Sequence, residues 1–597
     1  MKKLYLWRSL VLGALLSALS PLALAAQVNI TGMFIKWNVN PSLEIPQSSP
    51  GIYAVDIDFS SGNSFKISTQ TDATSWSDFD KGTLYYSGTP QLGQWVQLAS
   101  EPKSGNCKAP GTGRYRVTVD LTASRICFTD AQLPSTAWSG TLPLLHINTA
   151  SGAPITSKET YLDATYYLES LGAEGVADIG SAEAPLTMQI RGRGNYSWSG
   201  FDKKPYRLKL KEKQPLLGMN SNRHWALLAH ADDNKGFMRN FAGFTASELL
   251  GMPWTPASQP CEVVLNGDYI GLYFLTETIR VDKKRVNIVE QDDLATTDVD
   301  GGWLVEIDNY SSDPHVTVSE NGNSSHPIWF TYKSPEELSA QQSGYLLNQM
   351  QQIDNAVYSA DKAAGSALES LVDFDILARY YITQELLDDC ESFHGSCYLN
   401  RNRGEECKWL FGPVWDFGNA LSRSGEQKFV WQDPPFRQVW IGEIYKFPAF
   451  LDAVKAVWKP FLYYNAGRLT SAMDDFASRI ATAAACDACR WPKYGNPDEL
   501  YREQQARDYI KARIKWLTSQ WGDASGVESV AVHPADDYTV SISGRTLTFT
   551  ATRPMTLPLS TPDGRCRLLQ LTPDAPTVVP DLAPGLYILP SRKLLLK

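Results

Sequence analysis

FGPVWDFGNA, residues 411–420, sets an Asp-Phe-Gly triplet, Asp416-Phe417-Gly418, directly behind a short apolar run. Phosphoryl-transfer enzymes present a carboxylate in this way, on a turn after a strand, to hold Mg²⁺ beside a nucleotide. A triplet this short decides nothing alone. Its weight comes from what precedes it, in order: a double-glycine segment, RGRGN (191–195), a strand-borne lysine, Lys209, and a carboxylate cluster, Asp388, Asp389 and Glu391.

Outward from these residues, the span from about 141 to 310 reads as strand-rich, from LPLLHINT through LTMQIRGRG and PYRLKLK to GGWLVEID. One helix interrupts it, FMRNFAGFTASELLG (237–251), with apolar residues at helical spacing and Gly251 as its stop. The span from about 311 to 525 is mostly helical around a hairpin at 396–413. A strand-rich lobe with one helix, followed by a helical lobe with an embedded hairpin, is the layout of a two-lobed kinase. Residues 27–135 alternate as short strands between Gly, Pro, Ser and Asn turns, the pattern of a small sandwich. Residues 526–597 return to β, either as a sorting module or as a plain accessory sandwich. A linker rich in Pro, Ser, Thr and Gly covers 131–143.

The ends and the composition limit the function classes. Lys2, Lys3 and Arg8, the apolar run at 10–19 and Ala23-Leu24-Ala25 make residues 1–26 an expected secretion signal. Its removal takes the net charge from −10 to −13, since those three cations go with it. The mature chain is then expected to be exported, to periplasm, cell surface or medium, with no membrane span. The acidic balance and the absence of a long basic run argue against nucleic acid as a partner. Nine cysteines suit an oxidising compartment without requiring disulfides. Cys107 and Cys127 flank a hairpin and are expected to pair. Cys486 and Cys489 are expected to be free thiols or a local disulfide, not a redox or zinc motif. Trp37, Trp76 and Trp95 are either sugar-stacking platforms or core and loop aromatics.

Each chemistry-bearing segment has its own reading. RGRGN can form a glycine turn whose N–H groups approach phosphate, with Arg191, Arg193 and Asn195 beside it. Alternation in YRLKL puts Lys209 on one strand face, as a phosphate-contacting lysine, with Lys203 and Lys204 as competitors. FLTETI (274–279) reads as the crossing between lobes, with Thr276 and Glu277 on the adenine side. Asp416 is the expected metal ligand for Mg²⁺ or Mn²⁺. His394 is read as structural.

Taken together, RGRGNYSW (191–198), KKPYRLKL (203–210), WALLAHADDNKGFMRN (225–240), VVLNGDYIGLYFLTETIRVDKKRV (263–286), GGWLVEID and FGPVWDFG resemble the CotH kinase family over about residues 141–460. The resemblance implies a multidomain α+β protein with a central two-lobed atypical protein-kinase-like domain (136–525), flanked by N- and C-terminal β-sandwich-like domains. It implies ATP and a divalent metal as cofactors and Ser or Thr of a secreted or surface protein as acceptor. It also aligns Glu391 with an Asp that orients the substrate hydroxyl or shares the metal, with Asp388 and Asp389 just upstream. Two departures follow: the acid at 391 is longer by a methylene, and Gly418 stands where related sequences carry a second acid. The alternatives are a pseudokinase-type surface binding protein or a glycan-associated surface protein.

Overall fold

The computed structural model describes residues 27–522, apart from 71–72, 101–105, 132–137, 311–312, 405, 424–426, 433 and 495–498, together with the strands lying between 538 and 596. The expected secretion signal lies outside the described residues. The chain divides into two compact units, one of 1–241, 256–279 and 473–509, the other of 242–255, 280–472 and 510–597.

The first unit begins with two five-stranded sheets. Strand Ile52–Asp58 alternates buried and half-buried residues, as a strand with one face on a core must. Val55, Ile57, Phe59, Phe65, Val117 and Phe128 fill the space between the sheets. Cys107 and Cys127 do not pair: both are free thiols. Their strands belong to different sheets, Cys107 opposite Phe65 and Cys127 opposite Thr118, and the hairpin of Arg114–Asp120 with Arg125–Asp130 forms without a disulfide. Trp76 and Trp95 are exposed, each with a cation over its ring, Lys66 at 5.4 Å and Arg125 at 4.4 Å. Trp37 is half-buried, 6.3 Å from Trp76.

The same unit continues into a closed barrel. Its strands are β1 (Leu144–Thr149), β2 (Leu162–Glu169), β3 (Leu186–Gly192), β4 (Tyr206–Gln214), β5 (Asn222–Leu228), β6 (Ser258–Leu265) and β7 (Asp268–Glu277). Pairing runs β1-β2-β3-β4-β5-β7-β6 and closes through a parallel β1–β6 pair. Tyr206, Leu208 and Leu210 are buried and Lys209 is exposed, as the alternation requires. Closure leaves no free strand edge.

The second unit holds a five-stranded sheet and most of the helical chain. The strand Trp303–Ile307 (β8) pairs with β10 (Pro327–Ser334) and β11 (Cys397–Arg401), and so belongs here, not with the strand-rich first half of the domain. All five of its residues are buried, and a strand buried on both faces carries no period to show which sheet it joins. β9 (His315–Ser319) and β12 (Leu410–Phe411) are the outer strands, and β11 with β12 is the hairpin expected at 396–413. Helix α1 (Met238–Leu249) lies where its spacing predicts, its residues divided between the units. A Ser339–Gln342 capping box starts α2 (Ala340–Val357). Helix α3 (Phe374–Leu387) is capped by Asp373, which accepts from Ile376 N, and is buried along most of its length. The C-terminal strands form sheets of three and four around Leu547, Phe549, Leu557 and Leu569.

Candidate active site

Helix α3 ends at Asp388, whose φ of 47° is left-handed. Glycine commonly fills such a position, and Asp tolerates it better than most residues. The turn then presents Asp389 and Glu391 in succession, with Asp389 N donating to Gln384 O at 3.1 Å. Asp388 itself is taken up. Arg423 Nε donates to both of its carboxylate oxygens, at 3.0 and 3.2 Å, with the carboxylate fully buried. Arg513 stands 4.0 Å away and pairs with Glu385 at 2.7 Å. This buried network pins the segment around residue 430 through Val430 N, which donates to Glu385 Oε1. Asp388 therefore does not stand in for the aligned acid.

The other side of the acidic site comes from the hairpin. After β12 the chain buries Val414, then exposes Asp416 at φ 57°, and buries Phe417 completely. Gly418 N donates to Asp416 Oδ1 at 3.2 Å. The Phe417 ring lies against helix α1 at Gly243, where a Cβ would sit 2.3 Å from the ring, and meets Phe244 edge-on at 5.9 Å. A glycine in the helix makes that approach possible.

Burial and neighbouring charge act on these carboxylates. Burial, and then the charge of Asp416, push the Glu391 carboxyl up to about 7, with Asp308 adding to the rise. Burial and Glu391, with Asp416 and Asp388, push Asp389 well above the usual carboxylate range. Asn419 Nδ2 donates to Glu391 Oε2. The other oxygen, Oε1, is 3.2 Å from where a Cβ on Gly395 would stand, so glycine keeps its approach open. Tyr310 is half-exposed beside them, its hydroxyl pushed up to about 12 by burial and then by Glu391 and Asp308.

Among the described residues, no three His, Cys, Asp or Glu side chains stand close enough to hold a metal by themselves. The donor set still fits Mg²⁺, which keeps most of its waters and takes one or two carboxylates together with phosphate oxygens. Burial and the neighbouring Asp416 charge hold the Asp389 and Glu391 carboxyls up, a crowding that a divalent cation relieves.

In the first unit, three of the quoted segments converge on one buried histidine. His230 is held neutral, its pKa lowered to about 3 by burial and by the charges of Lys203, Arg193 and Arg239. Lys203, 1% exposed, donates to Leu272 O at 2.8 Å and pairs with Asp487 at 2.7 Å. Burial pushes the Asp487 carboxyl up, and Lys203 opposes that rise. Asp233 accepts from Lys235 N and Arg239 N, shaping the turn that leads into α1.

The remaining expected residues are distributed differently. Lys209 is on the solvent face of the barrel, so the cation at this cluster is Lys203, the competitor just before β4. Arg191 donates to Lys158 O and lies over the Tyr161 ring, and Asn195 accepts from Lys158 Nζ at 2.8 Å. Thr276 and Glu277 are buried in β7, with Thr276 Oγ1 2.7 Å from Ser258 Oγ and Glu277 accepting from Ala257 N. Thr276 Oγ1 and Glu277 Oε2 are thus engaged with β6 and the residue before it. His394 hydrogen-bonds Arg437 O through Nδ1, a structural role. The reading missed Asp308, Asn419 and Asp487. Asn419 directly follows Asp-Phe-Gly, and Asp308 ends GGWLVEID, so both were in view. Asp487 sits between Cys486 and Cys489, where the two free thiols drew the attention.

A family model described as "CotH kinase protein" matches residues 190–517, more than half of the chain. No curated protein matches the chain.

Proposed function

The chain belongs to the CotH kinase family, and from that premise we propose that it is an exported atypical protein kinase. It transfers the γ-phosphoryl group of ATP to Ser or Thr of secreted or surface proteins. The observation that carries this reading is the acidic site to which two segments of chain bring Asp389, Glu391 and Asp416, whose charge bears on both of the others.

Glu391 takes the proton of the acceptor hydroxyl. An acid with a pKa of about 7 is half-ionised near neutrality, where a general base combines availability with driving force. Asn419 orients it through Oε2 and leaves Oε1 for the hydroxyl. The longer Glu side chain thus has its own positioning partner. Asp416 and Asp389 are the carboxylates that would hold Mg²⁺ or Mn²⁺, which supplies neutralisation of the charge developing on the transferred group.

Export rests on the first 26 residues. The glycan partner expected of the N-terminal sandwich rests on its exposed Trp76 and Trp95, and the C-terminal strands are the sorting or accessory module. Purified protein with γ-labelled ATP and Mg²⁺ or Mn²⁺ tests the kinase reading. Label transfer to an acceptor protein that is lost in Asp416→Ala supports it. Metal-dependent ATP binding without transfer would make the domain a pseudokinase, and no ATP binding would leave a glycan-associated surface protein.

A further inference from the structure

Lys209 was singled out by its place in the sequence, and the site described above does not use it. It lines a cavity of about 640 Å³ on the barrel, together with Lys211, Arg223, Gln189, Thr187 and Asn148. That volume lies within the range of about 300–1,000 Å³ that small-ligand clefts occupy. Lys209 and Lys211 are both exposed, with buried Leu210 between them, so they share one face of β4. Two positions on one strand face are about 7 Å apart along the strand. Neither ammonium has an ion pair or hydrogen bond among the described residues. Arg223 has only Glu212 at 3.7 Å, with that carboxylate 72% exposed, an arrangement worth little. The single acid of the lining, Asp163, accepts from Gln189 Nε2 at 3.0 Å.

We infer that this face of the barrel binds an anionic oligosaccharide. The two lysines and Arg223 recognise its carboxylate or sulfate groups, and the amides and hydroxyls of Asn148, Gln189 and Thr187 recognise its sugar hydroxyls. A peptide suits the surface less well. Closure of the barrel leaves no strand edge on which an extended segment could add. No aromatic side chain lines the cavity, and its large apolar contributors, Met188 and Leu210, are buried in the barrel core. The bulky anchors through which peptides gain most of their affinity therefore have no pocket here. The inference is independent of the kinase reading.

The test is titration calorimetry on the full chain with trigalacturonate, its neutral methyl ester and a sulfated trisaccharide, at low and at raised ionic strength. Binding of either anionic sugar is expected, with the carboxylated or sulfated probe identifying which acid is read. It should weaken with salt, be absent for the methyl ester, and fall at least tenfold in Lys209→Gln/Lys211→Gln. Both side chains are exposed, so the double variant should fold, which an unchanged circular dichroism spectrum and thermal midpoint would check. Equal binding by the double variant, or by the methyl ester, would overturn the inference. So would no binding of either anionic probe, or displacement of a bound probe by ATP, which would give the cavity to the nucleotide. Binding of a phosphoserine peptide at this face in place of the sugars would also overturn it.

Discussion

Two helical glycines in the second unit should respond oppositely to the same substitution. Gly243, in α1, faces Phe417, and a Cβ there would stand 2.3 Å from two ring carbons and 2.5 Å from a third. Gly344, in α2, is exposed and would meet nothing within 4 Å. Alanine in place of glycine in a helix interior gains about 1 kcal/mol from propensity alone. Gly344→Ala should therefore stabilise by about 0.5–1 kcal/mol. In Gly243→Ala the same gain is set against overpacking of a closed core, which costs about 1–3 kcal/mol. The Phe417 ring must retreat by about 1 Å to regain ordinary contact, and it is fully buried with Phe244 against it. The net effect is destabilisation of up to about 2 kcal/mol. Because Asp416 precedes that ring, Gly243→Ala should also slow phosphoryl transfer about a hundredfold, the cost of an ångström of misplacement. Urea unfolding followed by tryptophan fluorescence, with label transfer on the same preparations, measures both. Adding Phe417→Leu, a smaller side chain, should restore part of the stability of Gly243→Ala. Equal stabilisation by both alanines, or no rescue by the second substitution, would refute the packing argument.

Other consequences can be measured in the same way. Arg423→Leu leaves Asp388 buried without its fork and should cost about 3–5 kcal/mol in urea unfolding, with Asp388→Asn/Arg423→Leu less damaging than Arg423→Leu alone. Asp487→Ala should be similarly costly because it strands Lys203 in the first unit, and Lys203→Met/Asp487→Leu should recover most of the loss. Glu391 and Glu306 have folded-state pKa values raised to about 7, against an ordinary value near 4.3. The folded protein thus holds more protons between those limits, so stability without metal should fall as pH rises from about 4.5 to 7. Glu391→Gln should flatten part of that slope in thermal midpoints measured across the range. Turnover should rise over the same interval as Glu391 ionises, and a flat pH profile would remove it as the base.

The parts of the site legible in the sequence were those carried by short segments. Asp-Phe-Gly after an apolar run, the hairpin at 396–413 and the helix starting near 238 are set by neighbours in the chain, and period and turn chemistry reveal them. The alternation in YRLKL was also right, since Lys209 is on the face opposite Leu208 and Leu210. It could not say which face meets a phosphate. The buried cation is Lys203, outside the strand, and what holds it is Asp487 on a helix far along the chain. For Thr276 and Glu277 the limit is the same, because a strand buried on both faces gives no sign of which side is free. The Cys107–Cys127 pairing failed because two strands near in sequence entered different sheets. Asp389 and Glu391 were visible as acids, but their raised pKa values come first from burial and then from Asp416, with Asp308 adding at Glu391, all of which act only through the fold.

The central claim is that the acidic site transfers phosphate, with Asp416 and Glu391 in separate roles. Label transfer from γ-labelled ATP to an acceptor protein, compared among wild type, Asp416→Ala and Glu391→Gln, tests it most directly. The account predicts transfer by wild type, none by Asp416→Ala together with loss of metal-dependent ATP binding, and little by Glu391→Gln with that binding retained. Undiminished transfer in either variant would contradict it, as would wild-type protein that binds ATP and never transfers it.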